Sequence, residues 1–218
     1  MTLEDMIAAC RNQTGDTVQP YLWSDLEWAL FLNQAENEAV ERAQLLLDAS
    51  TAEVCQIAVV AGTATYPLHS SIIKIQRAKL ALGRAPLAET SIEALDEEGD
   101  WEAQTGTPGC FFQTSDSTIT LVPIPAVSDT LRLRVYRLPL EPMVVDADTP
   151  EIAAKHHYRM LDWALRCAYL KQDAETLDKA KAAEHEGIFT AAFGARPDAN
   201  VQRKRRDRRP PVVRMGAW

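Results

Sequence analysis

The chain has 218 residues, 46% hydrophobic and 25% charged, an ordinary globular composition with length enough for one or two domains and a buried core. Its net charge is −8, but residues 201–218 hold seven bases and one acid, a local +6 that leaves −14 on residues 1–200. No apolar run approaches the ~20 residues of a membrane span, and the acidic start MTLEDMIAAC does not read as a signal peptide, so a helical transmembrane protein, a collagen-like fibre and a wholly disordered chain are excluded.

Thr2 is placed to cap a first helix, with Asp5 as its capping-box partner and Leu3, Met6, Ile7 and Cys10 at helical spacing. NQTGD closes that helix. Ser24 and Glu27 form a sharper capping box, with Trp23 and Trp28 at the two positions of a hydrophobic staple. This second helix is predicted to reach about Asp48, with Leu26, Ala29, Leu30, Asn33, Asn37 and Val40 as its stripe. Asn33 and Asn37 fit such a stripe only at its edge, bonding a neighbouring loop or helix, because buried amides need partners.

From Glu53 the period changes. Residues 54–60 read as a strand, 61–65 as a turn and 66–68 as extended chain. Ile73, Ile75 and Ala78 lie among Lys74, Arg77 and Lys79 in a half-buried strand. Gly83-Arg84-Ala85-Pro86 is a turn, and Ser91 caps a short acidic helix to Glu98. Residues 110–113 and 118–122 form a hairpin about Ser115-Asp116-Ser117, ended by Pro123 and Pro125. Leu131, Leu133 and Val135 alternate with Arg132 and Arg134. The two arginines form a solvated face or, in an oligomer, a subunit interface. Thr149-Pro150-Glu151 carries the signals of a helix start. A helix is predicted over 152–170 and a last one over about 174–193, stopped by Gly194 and Pro197. Nothing beyond it is predicted to pack, and residues 195–218 read as extended or disordered.

Motifs of chemistry are sparse. Cys10, Cys55, Cys110 and Cys167 make no CxxC pair and read as buried, reduced thiols. His69, His156, His157 and His185 include no HExxH and no His-Cys ligand spacing, and read as surface or interface residues. GxSxG, GxxxxGK[ST] and GxGxxG are absent. The run Asp96, Glu97, Glu98, Asp100 and Glu102 reads as a solvated face. A hydrolase would instead need two of its carboxylates paired in a concave pocket with a perturbed pKa. No catalytic residue, metal ligand or cofactor is assigned, and the expectation is a protein that is not an enzyme. The strongest local signal is RKRRDRR in the tail, which suits phosphates, an acidic surface, or a docking arm anchored by Trp218.

Four stretches in order resemble the head-to-tail connector, or adaptor, proteins of tailed bacteriophages. The first, "YLWSDLEWALFLNQAENEAVERAQLLL", is similar to the family's W-x-D…(I/L)N-x-A opening, with Asn33 at its helical asparagine. The second, "CQIAVVAGTATYPLHSSIIKIQRAKL", resembles its G-x-x-x-Y-x-L-P strand segment, with Pro67 before Leu68 where the family has the reverse. The third, "GTPGCFFQTSDSTITLVPIPAVSDTLRLRVYRLPLEPM", resembles its G-x-P…F hairpin and L-x-L-x-Y-x-R-x-P strand. The fourth, "TPEIAAKHHYRMLDWALRCAYL", resembles its P-x-x-(Y/H)H late helix.

The resemblance implies an α+β fold. N- and C-terminal helices form a bundle (1–52 and 149–194), with an inserted antiparallel β subdomain (53–148) and an extended basic tail (195–218). It implies a structural virion protein at the neck, made in the host cytoplasm. Such proteins form a homo-oligomeric ring, a dodecamer, below the portal, with DNA passing through and a downstream tail or nozzle protein beneath. Arg203, Lys204, Arg205, Arg206, Arg208, Arg209, Arg214 and Trp218 are then expected to contact the portal, and Arg132 and Arg134 a neighbouring subunit. The alternative is a non-specific nucleic-acid-binding protein that uses the Arg-rich tail.

Overall fold

The computed structural model describes residues 1–97 and 99–198. The fold is mixed α/β, with six α-helices and several β-sheets among the described residues. The chain divides into a helical unit, residues 1–46 with 137–196, and a β unit built on residues 47–136. No helix among the described residues is long and apolar enough to cross a membrane.

The helical unit holds α1 (Leu3–Thr14), α2 (Asp25–Ala43) and two late helices given below, with α2 packed on α1. Both predicted capping boxes form: Thr2 with Asp5 on α1, and Ser24 with Glu27 on α2. Trp23 and Trp28 make the staple, with ring centroids 5.5 Å apart.

Helix α2 departs from the predicted reading in two ways. It stops at Ala43 rather than near Asp48, because Gln44 turns into the left-handed region at φ 50°. It also buries a different face. Leu26 and Leu30 are 81% and 55% exposed, whereas Trp28, Leu32, Ala35 and Ala39 are fully buried. The two faces have similar apolar spacing, and burial falls on the one that carries the large Trp28 ring. Asn33 behaves as an edge residue: its amide donates to the Met143 carbonyl, and its Oδ1 accepts from the Met143 N–H at 2.8 Å. Asn37 is exposed.

The late helices also start later than predicted. A 3-10 turn, Ala154–His156, precedes the first of them, which starts at His157, and the β unit supplies the elements between the early and late helices. That unit opens with β1 (Leu47–Asp48), α3 (Ala52–Cys55) and β2 (Gln56–Val59). The predicted strand over 54–60 therefore starts two residues late, at Gln56, because Val54 and Cys55 are buried in a helical turn. Asp48 sets this turn by accepting from the Ser50 and Thr51 amides and the Thr51 hydroxyl. Next come β3 (Thr65–Pro67), β4 (Ile72–Leu80), β5 (Ala88–Glu89) and α4 (Ile92–Asp96), which Ser91 caps as predicted. Then follow β6 (Thr105–Gly106), β7 (Cys110–Ser115), β8 (Thr118–Val122), β9 (Ile124–Pro125) and β10 (Asp129–Arg137).

In the first sheet, β10 pairs antiparallel with β1 at one end (Leu47↔Tyr136) and with β2 at the other (Leu131↔Ile57), and it also pairs with β4. The second sheet runs β3-β8-β7-β5 and contains the predicted hairpin, with Phe111 opposite Leu121. Two pairings are parallel, β5 with β7 and β6 with β9, where the sequence suggested an all-antiparallel arrangement. Both join short segments brought together by loops, which strand periodicity does not encode.

The helical unit closes with α5 (His157–Tyr169) and α6 (Lys179–Phe193), and α5 packs on α1, α2 and α6. The Thr149-Pro150-Glu151 start is not used. The Glu151 carboxylate instead accepts from the Leu140 N–H and pairs with Arg137 at 2.7 Å. Helix α6 begins at Lys179 rather than near Ala174, because Asp178 caps it through the Ala180 and Lys181 amides. It ends at Gly194, φ 87°, as predicted. Packing continues slightly past it: Arg196 lies 3.5 Å from Glu38 and 3.9 Å from Glu41.

Candidate functional site

The predicted interface arginines lie on β10. Leu131, Leu133 and Val135 are buried at 0%, 3% and 0%, which turns Arg132 and Arg134 out on the other face. Gln56 of β2 sits directly opposite Arg132 in the register, and both are exposed. On the far side of β10, β4 buries Ile75, Ala78 and Leu80 and presents Lys74 and Arg77 to solvent, with Lys79 half-buried. Gln76 donates to the Tyr136 hydroxyl at 3.5 Å, tying the outer faces of β4 and β10 together. Of these five cations, Arg132, Arg134 and Lys74, which lies two residues before Gln76, share the outer face. None of the five forms an ion pair among the described residues.

The structure places Lys74, a residue that sequence reading left as ordinary half-buried strand, on the same sheet face as Arg132 and Arg134. A signal for the cluster was available. No Lys or Arg occurs from residue 85 to 131, so the cations of this region gather in two short segments on either side.

The acidic run lies elsewhere in the β unit. Glu93, Asp96, Glu97, Asp100 and Glu102 are all exposed. Helix α4 is rooted by Leu95, which packs on Phe112 and Val122 with Trp101 beside them. Trp101 Nε1 donates to Asp96 at 2.9 Å. Glu98 lies outside the described residues. These carboxylates do not line either of two surface hollows in the helical unit. One hollow, of about 540 Å³, is lined by Leu170, Gln172, Asp173, Ala174, Leu177 and Lys179. The other, of about 150 Å³, lies among Asn33, Glu36, Asn37, Pro139, Leu140, Glu141 and Pro142.

Glu36 is a carboxyl whose surroundings raise its pKa. Burial pushes it up to about 6, against the opposing effect of the Ile152 and Glu151 amides that it accepts. Its role is to tie α2 to the chain entering α5.

Buried titratable groups in the helical unit are held by structure. His157 is 4% exposed, not a surface residue, and its Nε2 contacts the Ile152 carbonyl at 2.9 Å. His185 Nδ1 meets Asp162 at 2.9 Å and its ring stacks on Tyr169. Burial pushes the Cys10 thiol up to about 12, with the Asp162 charge adding to it, so this cysteine stays protonated. Cys55 is buried like Cys10, but Cys110 and Cys167 are only half-buried, and none of the four is in a disulfide among the described residues. Among the described residues no group of three His, Cys, Asp or Glu side chains is arranged to hold a metal ion.

The predicted portal-contact residues Arg203, Lys204, Arg205, Arg206, Arg208, Arg209, Arg214 and Trp218 lie outside the described residues. A family model described as SU10 adaptor protein matches residues 1–215. No curated protein matches the chain.

Proposed function

The chain belongs to the SU10 adaptor protein family, and from that premise we propose that this phage structural adaptor joins the portal to the tail of a virion. In this reading, copies of the chain form a ring, twelve by the resemblance, around the DNA channel at the neck. The ring docks on the portal and offers its other side to the next tail component. The observation that carries the reading is the family match along residues 1–215, which spans the helices, the sheets and most of the basic tail. Lys74, Arg77, Arg132 and Arg134, exposed and without an ion pair among the described residues, support it, because a joining protein works through surfaces.

Within this proposal the tail, 195–218, is an arm that reaches the portal. Its seven basic residues between 201 and 218 meet acidic groups there, and Trp218 serves as an apolar anchor. Arg132 and Arg134 face a neighbouring subunit. The test is cosedimentation of the full chain, and of a chain ending at residue 200, with purified portal rings. The expected result is stoichiometric binding by the full chain and weaker binding by the truncated one. Equal binding by both removes the tail's role and keeps the adaptor. Failure of both to bind, with salt-sensitive DNA binding lost on truncation, replaces the adaptor with the nucleic-acid reading.

A further inference from the structure

We propose that the basic outer face of the first sheet docks onto the acidic α4 lobe of a second copy of this chain, in a head-to-tail contact. The proposal rests on the reading of the protein as a self-assembling ring and names the two surfaces that meet.

The charge distribution of the β unit is the first argument. Residues 47–136 contain six Lys and Arg side chains. Five of them, Lys74, Arg77, Lys79, Arg132 and Arg134, lie on β4 and β10; Lys74, Arg132 and Arg134 share one face, and none of the five forms an ion pair among the described residues. The segment 88–109 carries only acids among its charged residues, and its described carboxylates, from Glu89 to Glu102, are exposed. Like charges held together repel one another in the isolated chain. An opposite surface on a neighbour relieves both clusters at once.

Geometry is the second argument. The two surfaces belong to different parts of the unit. Helix α4 covers the face of the second sheet that bears Cys110, Phe112 and Val122, whereas the cations stand on the first sheet. Complementary patches at two separate places on one chain make a heterologous interface, which propagates into a ring or filament rather than a two-fold dimer. Both patches are also firmly held. Strand β10 is paired along both of its edges, and α4 is pinned by Leu95 and by the Trp101–Asp96 hydrogen bond. A second copy suits the basic face better than nucleic acid does, because the first 200 residues of the chain carry −14 and repel phosphates.

The test uses two full-length variants. One reverses the face, Arg132→Glu with Arg134→Glu; the other reverses the lobe, Glu93→Lys with Glu102→Lys. Assembly on purified portal rings is read by mass. Each variant alone places like charge against like charge, so its assembly falls by at least about tenfold. Mixed in equal amounts, they alternate around the ring with every contact complementary, and assembly returns to the unmodified level. That rescue also shows that both variants fold. Undiminished assembly of either variant alone, or failure of the mixture to recover, overturns the proposal. If the face variant assembles normally but loses DNA binding, the face belongs to nucleic acid and the proposal is likewise overturned. An unmodified chain that forms no closed oligomer brings down the ring reading itself, a result seen without either variant.

Discussion

In the helical unit the charged side chains that matter point inward and are paired; in the β unit Lys74, Arg77, Arg132 and Arg134 are exposed and without an ion-pair partner among the described residues. Arg11 shows the first pattern. It is 8% exposed, donates to Asp16 at 3.0 Å, to Asp25 at 2.7 Å and to the Trp23 carbonyl, and stacks on Tyr21 at 3.5 Å. Asp16 in turn accepts the Leu22 and Trp23 amides, so this single ion pair organises the loop from α1 to α2. Arg42 does the same between α2 and α6, binding Glu38 and Thr190 over the Trp163 and Phe189 rings. Desolvating such charges is costly, and only the full set of hydrogen bonds offsets it. Lys74 and Arg77 of β4 and Arg132 and Arg134 of β10 are exposed and make no ion pair among the described residues. The difference separates charge used as internal framework from charge displayed for an incoming surface.

The sharpest way to break the framework is Arg11→Met. It leaves Asp16 buried without its counter-charge, and urea unfolding should show a loss of about 3–5 kcal/mol. A loss below about 1 kcal/mol would mean that the two amides satisfy Asp16 unaided.

Adjacent residues of β10 sharpen the contrast. Leu133→Ala removes a side chain that is 3% exposed and should cost about 2–4 kcal/mol by the same measurement. Arg134→Ala, one residue on, should change stability by no more than about 0.5 kcal/mol. Comparable losses at both positions would place Arg134 in the framework and end the distinction.

Glu36 sits between the two patterns, buried but without a cation. Below pH 4.5 it is protonated whether the chain is folded or not. Between 4.5 and about 6 the folded chain keeps the proton that the unfolded chain gives up. Stability from this group is therefore lost as pH rises through that window, by about 2 kcal/mol in all. Glu36→Gln should remove that part of the pH dependence and raise the melting temperature at pH 7 to 8. A variant melting below the parent there would show that the charged carboxylate is needed for the Ile152 contact.

Local signals in the sequence were read well where neighbours a few residues apart decide the outcome. The capping boxes at Thr2 and Ser24, the Trp23–Trp28 staple, the hairpin at 110–122 and the alternation of β10 all formed as predicted. The candidate site was half legible: the outward turn of Arg132 and Arg134 follows from period two, but their sharing a face with Lys74 does not. Strand pairing between β4 and β10 creates that patch, across more than fifty residues of chain.

The sequence by itself thus determined where helices and strands can begin, which side of a strand is apolar, and that the charge is segregated. Only the tertiary structure decided that α2 buries Trp28 and Leu32 rather than Leu26 and Leu30, that α3 delays the start of β2, and that Glu151 serves Arg137 and Leu140 instead of starting a helix. The physical reason is range. Capping and alternation are settled by hydrogen bonds and sterics within a few residues, whereas the choice between two similar faces, or between two partners for one carboxylate, depends on which distant groups fold against them.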